Sequence, residues 1–161
     1  MAAAKVEISR AAEPDVASLV EMYASPDLKV EPEQSRWFVN CYFDYHQILV
    51  AKVGGTIRGS CFWRIEGEDY CGLGWVENLF VEEKYRKSGL GEKLLRATIS
   101  DMKEFYERAG VRLRKVILTT QVNREDARRL YEKVGFREMA RLEGLYDADE
   151  NDIIYVLDAK I

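Results

Sequence analysis

Val81-Glu82-Glu83-Lys84-Tyr85-Arg86-Lys87-Ser88-Gly89-Leu90-Gly91-Glu92 is the stretch on which the reading of this chain turns. Before it, Leu73 to Val81 reads as a strand. After it, Leu94, Leu95, Thr98, Ile99, Met102, Phe105 and Tyr106 recur at three and four until Gly110, the spacing of a long helix with a glycine stop. The stretch is therefore a strand-to-helix turn. Two glycines one residue apart let the backbone curl with its N–H groups outward. The first N–H groups of a helix lack intrahelical partners and carry the positive end of its dipole. With Arg86 and Lys87 on the same loop, the turn suits a phosphate.

Known phosphate loops can be weighed against it. A P-loop needs GxxxxGK[ST], whereas Gly89 and Gly91 precede Lys93 at the wrong spacing with no hydroxyl after it. A dinucleotide fingerprint needs GxGxxG, and the third residue after Gly91 is Leu94. A glycine loop that only turns the chain is the remaining alternative.

Outward from the turn, the rhythm predicts the other elements. Val6 to Ser9 alternates as a strand, and Pro14 opens a helix carrying Val16, Leu19, Val20 and Tyr23, which Pro26 ends. Pro32 opens a second helix whose apolar stripe is Trp37, Phe38, Cys41 and Tyr42. Gln47–Val53 and Thr56–Ile65 form a hairpin about Gly54-Gly55, with His46 at the start of its first strand. Lys115 to Thr120 reads as a buried strand, Arg124 to Val134 as an amphipathic helix stopped by Gly135, and Phe136–Leu142 and Asp152–Leu157 as closing strands. The order β-α-α-β-β-β-α-β-α-β-β defines an α+β fold, a mostly antiparallel sheet with helices on its faces.

Composition narrows the classes of function. A chain of 161 residues, 47% hydrophobic and 32% charged, reads as one domain over residues 1–161. A net charge of −4 argues against broad nucleic-acid binding, and no apolar run is long enough to cross a membrane. One histidine rules out metal sites built on several imidazoles, so no metal is expected. Cys41, Cys61 and Cys71, odd in number and without CxxC spacing, read as reduced thiols of a cytoplasmic protein.

Arg86-x-x-Gly89-x-Gly91 resembles the [Q/R]-x-x-G-x-[G/A] signature of the GNAT superfamily of N-acetyltransferases. The strand segment Glu77-Asn78-Leu79-Phe80-Val81 and the downstream Leu130-Tyr131-Glu132-Lys133-Val134-Gly135-Phe136, similar to that family's LYexxGF segment, match in order and spacing over about Val50 to Leu157. The first fifty residues match only in outline. The tail, Gly144-Leu145-Tyr146 and then Asp152-Ile153-Ile154, resembles the branch that acetylates protein N-termini.

The resemblance implies a centrally splayed sheet flanked by about four helices, acetyl-CoA as cosubstrate, and direct attack of an amine on the thioester. It implies that the backbone of Arg86, Lys87, Ser88, Gly89, Leu90, Gly91 and Glu92 holds the pyrophosphate. It places the pantetheine arm along Leu79, Phe80 and Val81, and makes Asn123 a contact to that arm. The family's Asn usually stands seven residues before the tyrosine, and here the interval is eight, so Asn123 is either a CoA contact or the cap of the following helix.

Glu77, nine residues before Arg86, matches the base of polyamine-acetylating relatives; as an alternative it is a solvated strand carboxylate. The N-terminal acetylating branch keeps its glutamate on the next strand, at the position of Thr119 here. Tyr131 matches the general acid, or else is a core tyrosine on the apolar stripe. The acceptor amine is not written in the sequence, though the carboxylates of Tyr146–Asp152 suit a cation. Oligomeric state is equally open, with a homodimer among the options. A non-catalytic acyl-CoA sensor or protein-interaction module on the same fold is the rival reading.

Overall fold

The structure, a computed structural model, describes residues 5–24, 30–45, 47–68 and 71–159. The expected strand-start residue His46 and helix-ending Pro26 lie outside the described residues. The elements are β1 (Val6–Arg10), α1 (Val16–Tyr23), α2 (Pro32–Tyr45), β2 (Gln47–Val53), β3 (Thr56–Glu66), β4 (Leu73–Val81), α3 (Leu90–Arg108), β5 (Lys115–Gln121), α4 (Glu125–Val134), β6 (Arg137–Glu143) and β7 (Asn151–Asp158). This is the α+β order read from the sequence, and the strands join in the order β1-β2-β3-β4-β5-β7-β6.

The chain forms two compact units, residues 1–64 with 78–97 and residues 65–77 with 98–161, so β4 and α3 each contribute to both. In the first, β1 pairs antiparallel with β2 and β2 with β3, closing at the Gly54-Gly55 turn where both glycines take positive φ. Helices α1 and α2 cover this sheet with a core of Leu19, Met22, Tyr23, Val39, Ile48, Val50, Ile57, Phe62 and Phe80. The entry to α1 is held by Asp15, which accepts the Ala12 N–H at 3.1 Å and lies 2.6 Å from the Lys52 ammonium.

In α2 the buried side differs from the expected stripe. Trp37 is 70% exposed, whereas Ser35 and Val39 are fully buried. A serine can face the core here because its hydroxyl donates to the Val20 carbonyl of α1 at 2.6 Å. A hydropathy pattern registers Ser35 as polar and so rotates the stripe toward Trp37.

The second unit carries the parallel pair β4–β5 and the antiparallel pairs β5–β7 and β6–β7. Of the apolar run in β5, Val116 and Leu118 are buried and Ile117 is half-buried. Gly74 of β4 lies under α3, where a Cβ would stand 2.7 Å from Met102 Sδ. Gly135, at φ 113°, stops α4 as expected, and the Phe136 N–H returns to the Tyr131 carbonyl at 3.0 Å.

Candidate active site

The Val81–Glu92 turn is built by short-range bonds. The Tyr85 and Arg86 N–H groups bond back to the carbonyls of Glu82 and Glu83, at 2.8 and 3.0 Å, and Ser88 Oγ donates to the Tyr85 carbonyl at 2.6 Å. Gly89 takes a left-handed φ of 84° with open space where a Cβ would be. Lys87 takes φ 59°, a conformation a non-glycine residue adopts at a cost. Gly91, expected to share in the curl, is instead helical within the first turn of α3. The curl is already complete at Gly89, whose carbonyl accepts the Lys93 N–H at 3.1 Å as the first rung of the helix. The Leu90 and Gly91 N–H groups precede that rung, at the positive end of a 19-residue helix.

Arg86 is not a loose charge on this loop. Its Nε donates to the Val81 carbonyl at 2.9 Å, and its guanidinium carbon lies 6.0 Å from the Phe80 ring centre. Sequence reasoning missed a second anchor, Arg58 of β3. Its Nη1 donates to both Glu82 carboxylate oxygens, at 3.2 and 3.0 Å, and its guanidinium lies 5.3 Å from the Tyr85 ring centre. No local spacing signals this contact, because Arg58 and Glu82 are brought together only by strand pairing, with the Glu82 N–H on the Arg58 carbonyl.

The β4–β5 ladder runs from Leu73–Lys115 to Val76–Leu118 and stops, while β4 continues to Val81 and β5 to Gln121. Glu77 is the first β4 residue past the last rung, half-buried, and Leu79, Phe80 and Val81 follow it.

On α4, Tyr131 is 8% exposed, its ring 6.1 Å from Phe136 and 5.9 Å from Tyr155. The helix is pinned through Tyr155 of β7, whose hydroxyl donates to Glu132 Oε1 at 2.9 Å and accepts Arg128 Nε at 3.4 Å. Burial raises the Tyr155 phenol above its ordinary pKa; the Arg128 hydrogen bond opposes this and Glu132 adds to it. Asn123 is exposed and does not cap α4. The cap position belongs to Arg124, which makes no side-chain cap bond; the Asn123 carbonyl instead accepts the Glu125 N–H at 3.0 Å. The helix begins one residue later than a cap at Asn123 requires.

The Tyr146–Asp152 loop offers fewer carboxylates than its sequence suggested. Asp152 is 1% exposed and accepts the Tyr146 N–H at 3.3 Å, and Asp147 accepts the Asp149 N–H at 3.1 Å. Tyr146, 67% exposed, is met at its hydroxyl by Thr119 Oγ1 at 3.4 Å. Among the described residues no group of His, Cys, Asp or Glu has an arrangement for a metal ion, and no helix is long and apolar enough to cross a membrane.

Along the chain, the strand, glycine turn and helix are followed by the helix that carries Tyr131, in the order read from the sequence. Residues 44–138 match the acetyltransferase (GNAT) domain family, and the chain belongs to that family. It is 35% identical over 113 residues to an N-alpha-acetyltransferase of Sulfurisphaera tokodaii, covering 65% of this chain and 64% of the relative. A spermine/spermidine N(1)-acetyltransferase of Bacillus subtilis is 33% identical over 63 residues, 39% of this chain and 38% of that one. The matches thus span less than two thirds of these relatives' lengths. An acetyltransferase from Salmonella typhimurium, solved with its cofactor acetyl-CoA, superposes with a TM-score of 0.74 at 16% identity, covering 98% of this chain and 95% of that chain. At that identity the likeness is one of fold.

Proposed function

We infer that this chain is an acetyl-CoA-dependent N-acetyltransferase, moving the acetyl group of the thioester to an amine by direct attack. The observation that carries the reading is the turn at Val81–Glu92. There a left-handed Gly89 with open space before it leads into the first turn of a 19-residue helix, in a chain of the GNAT family. Backbone N–H groups of Leu90 and Gly91, with the helix dipole and Lys87, suit a pyrophosphate. Leu79, Phe80 and Val81 continue beyond the end of the β4–β5 ladder and suit an extended pantetheine arm. Asn123, exposed and not used as a cap, keeps its assignment as a contact to that arm. When bound, acetyl-CoA supplies the electrophilic carbonyl.

The residues must then manage two protons. An amine with a pKa of roughly 10.4 is almost wholly protonated at neutral pH, so it needs a base; an α-amine near 7.7–8.0 needs less help. Glu77 takes this role, through a water. Tyr131 returns a proton to the departing thiolate, whose basicity is close to that of a phenol. The N-alpha- and spermine/spermidine-acetylating relatives support an amine acceptor. A cytoplasmic setting fits three cysteines that are thiols.

The test is thiol release from acetyl-CoA over a panel of peptides and small amines, repeated with Glu77→Gln. We expect turnover with at least one amine, and a variant whose kcat/KM falls and loses the acidic limb of its pH profile while CoA binding holds. CoA binding without turnover on any amine would overturn the enzyme in favour of a sensor or interaction module. An unchanged pH profile would remove Glu77 from the base role alone.

A further inference from the structure

The turn that leads into α3 is tied to β3 by one side chain. Arg58 is the extra residue of a β-bulge: Ala51 of β2 faces Gly59 and Lys52 faces Ile57, so the β2–β3 register leaves Arg58 without an opposite residue. A bulge bends its strand and re-aims the side chain it carries. Here that side chain meets the residue that follows β4. The Arg58 carbonyl accepts the Glu82 N–H at 3.0 Å, and Arg58 Nη1 donates to both oxygens of the Glu82 carboxylate, at 3.0 and 3.2 Å. The guanidinium lies 5.3 Å from the Tyr85 ring centre, within cation–π range. The neighbouring Gly59 permits this approach, since a Cβ there would stand 2.9 Å from the Phe80 carbonyl oxygen.

The rest of the turn is built on Glu82 and Tyr85. The Glu82 carbonyl accepts the Tyr85 N–H at 2.8 Å, and the Tyr85 carbonyl accepts Ser88 Oγ at 2.6 Å, one residue before the left-handed Gly89. Arg58 thus holds both ends of the segment Glu82–Tyr85, and through them the approach to the first N–H groups of α3. Stability alone gives little reason for this arrangement. Arg58 Nε is buried with no hydrogen-bond partner among the described residues, and a buried donor left unmet is unfavourable. The Arg58 and Glu82 side chains are 30% and 32% exposed, and ion pairs so placed add little to folding. A cavity of about 290 Å³ adjoins them, with Ser18, Glu21, Met22 and Phe80 also in its walls, so part of each side chain faces open space.

We propose that Arg58 is a positioning residue for CoA: through Glu82 and Tyr85 it holds the Val81–Glu92 turn in the shape that receives the pyrophosphate. The proposal rests on the acetyltransferase reading and adds to it a residue of β3 that acts through its partners. A loop that must be ordered on binding weakens affinity, and an anchor already in place removes that cost. The charges give the proposal a sign. CoA is an anion, so by simple attraction a carboxylate beside its site opposes binding, and removing Glu82 should tighten it. If Glu82 is instead the post to which Arg58 ties the turn, removing it should weaken binding. One substitution therefore separates the two accounts by direction.

The experiment measures the Kd of CoA by calorimetry, with the melting temperature of the same samples, for the wild type, Glu82→Ala, Arg58→Met and the double variant. We expect each single variant to bind CoA about fivefold more weakly or worse, and the double variant to be no weaker than the poorer single. Two independent losses of that size would multiply to about twenty-five-fold. Melting temperatures should stay within about 4 °C of wild type, because the pair is partly exposed. With an amine that is turned over, the KM for acetyl-CoA should rise while kcat changes little. Losing the Arg58 cation weakens anion binding on either account, so Glu82→Ala decides; Glu82→Gln, which also removes the charge, replaces it if the alanine variant does not fold. Unchanged or tighter CoA binding in the folded Glu82 variant overturns the proposal while the acetyltransferase reading stands, and so does a double variant that shows the full product of two losses. A lowered melting temperature with unchanged Kd makes the pair a structural brace and overturns the proposal as well. A wild type that binds no CoA overturns the reading and the proposal together.

Discussion

Replacing Tyr131 by Phe separates a proton donor from a packing residue. The ring is 8% exposed and packs against Phe136 and Tyr155 at 6.1 and 5.9 Å, and phenylalanine keeps both contacts. Only the hydroxyl is lost, so stability should fall by about 1 kcal/mol or less, a melting shift of roughly 2–4 °C for a chain of this size. Alanine would be the wrong probe, since losing the ring costs about 3–5 kcal/mol and confounds activity with folding. If the hydroxyl protonates the departing thiolate, kcat should drop about a hundredfold, some 2.7 kcal/mol of barrier, with CoA affinity unchanged. Calorimetric Kd for CoA, melting temperature and kcat are measured on one preparation. A variant with a clearly lowered melting temperature and full turnover would falsify the acid role and leave Tyr131 as a core residue.

The backbone and charge arrangements make further predictions. Gly72→Ala should destabilise by about 3 kcal/mol or more, because φ is 67° and a Cβ would stand 2.1 Å from the Arg112 carbonyl; a denaturant midpoint close to wild type would contradict this. Gly89→Ala, left-handed but facing open space, should cost only about 1 kcal/mol by the same measurement. Gly91→Glu sets a carboxylate in the first turn of α3 and should weaken CoA binding about tenfold or more by calorimetry, with unchanged affinity in a folded variant counting against the pyrophosphate site. Burial pushes the Asp15 carboxyl up, but the Lys52 ammonium and the Ala12 N–H outweigh it and hold it below its ordinary value. Its stabilisation is therefore complete above the ordinary carboxylate range and lost as pH falls through the lowered value, so the deficit of Asp15→Asn in urea unfolding should shrink from pH 7 to pH 2.

How much of this was legible in one dimension depended on how local each cause is. The helix stops at Gly110 and Gly135, the Gly54-Gly55 turn and the anion-suited turn before α3 follow from backbone freedom and periodicity, which act over a few residues. The sequence by itself therefore determined the element order, the α+β class and the residues of the turn. Side-chain placement was another matter. Trp37 turned outward because Ser35 found a carbonyl on α1, and Asp152 was withdrawn from the loop surface by the Tyr146 N–H. Asn123 lost the cap because α4 starts after Arg124. Arg58 with Glu82, and Tyr23 with Ser60 and Asn78, are partners 24 to 55 residues apart. Pairings across such separations leave no periodic trace, since each side chain's partner is chosen by which strands and helices pack together. Only the tertiary structure could decide them.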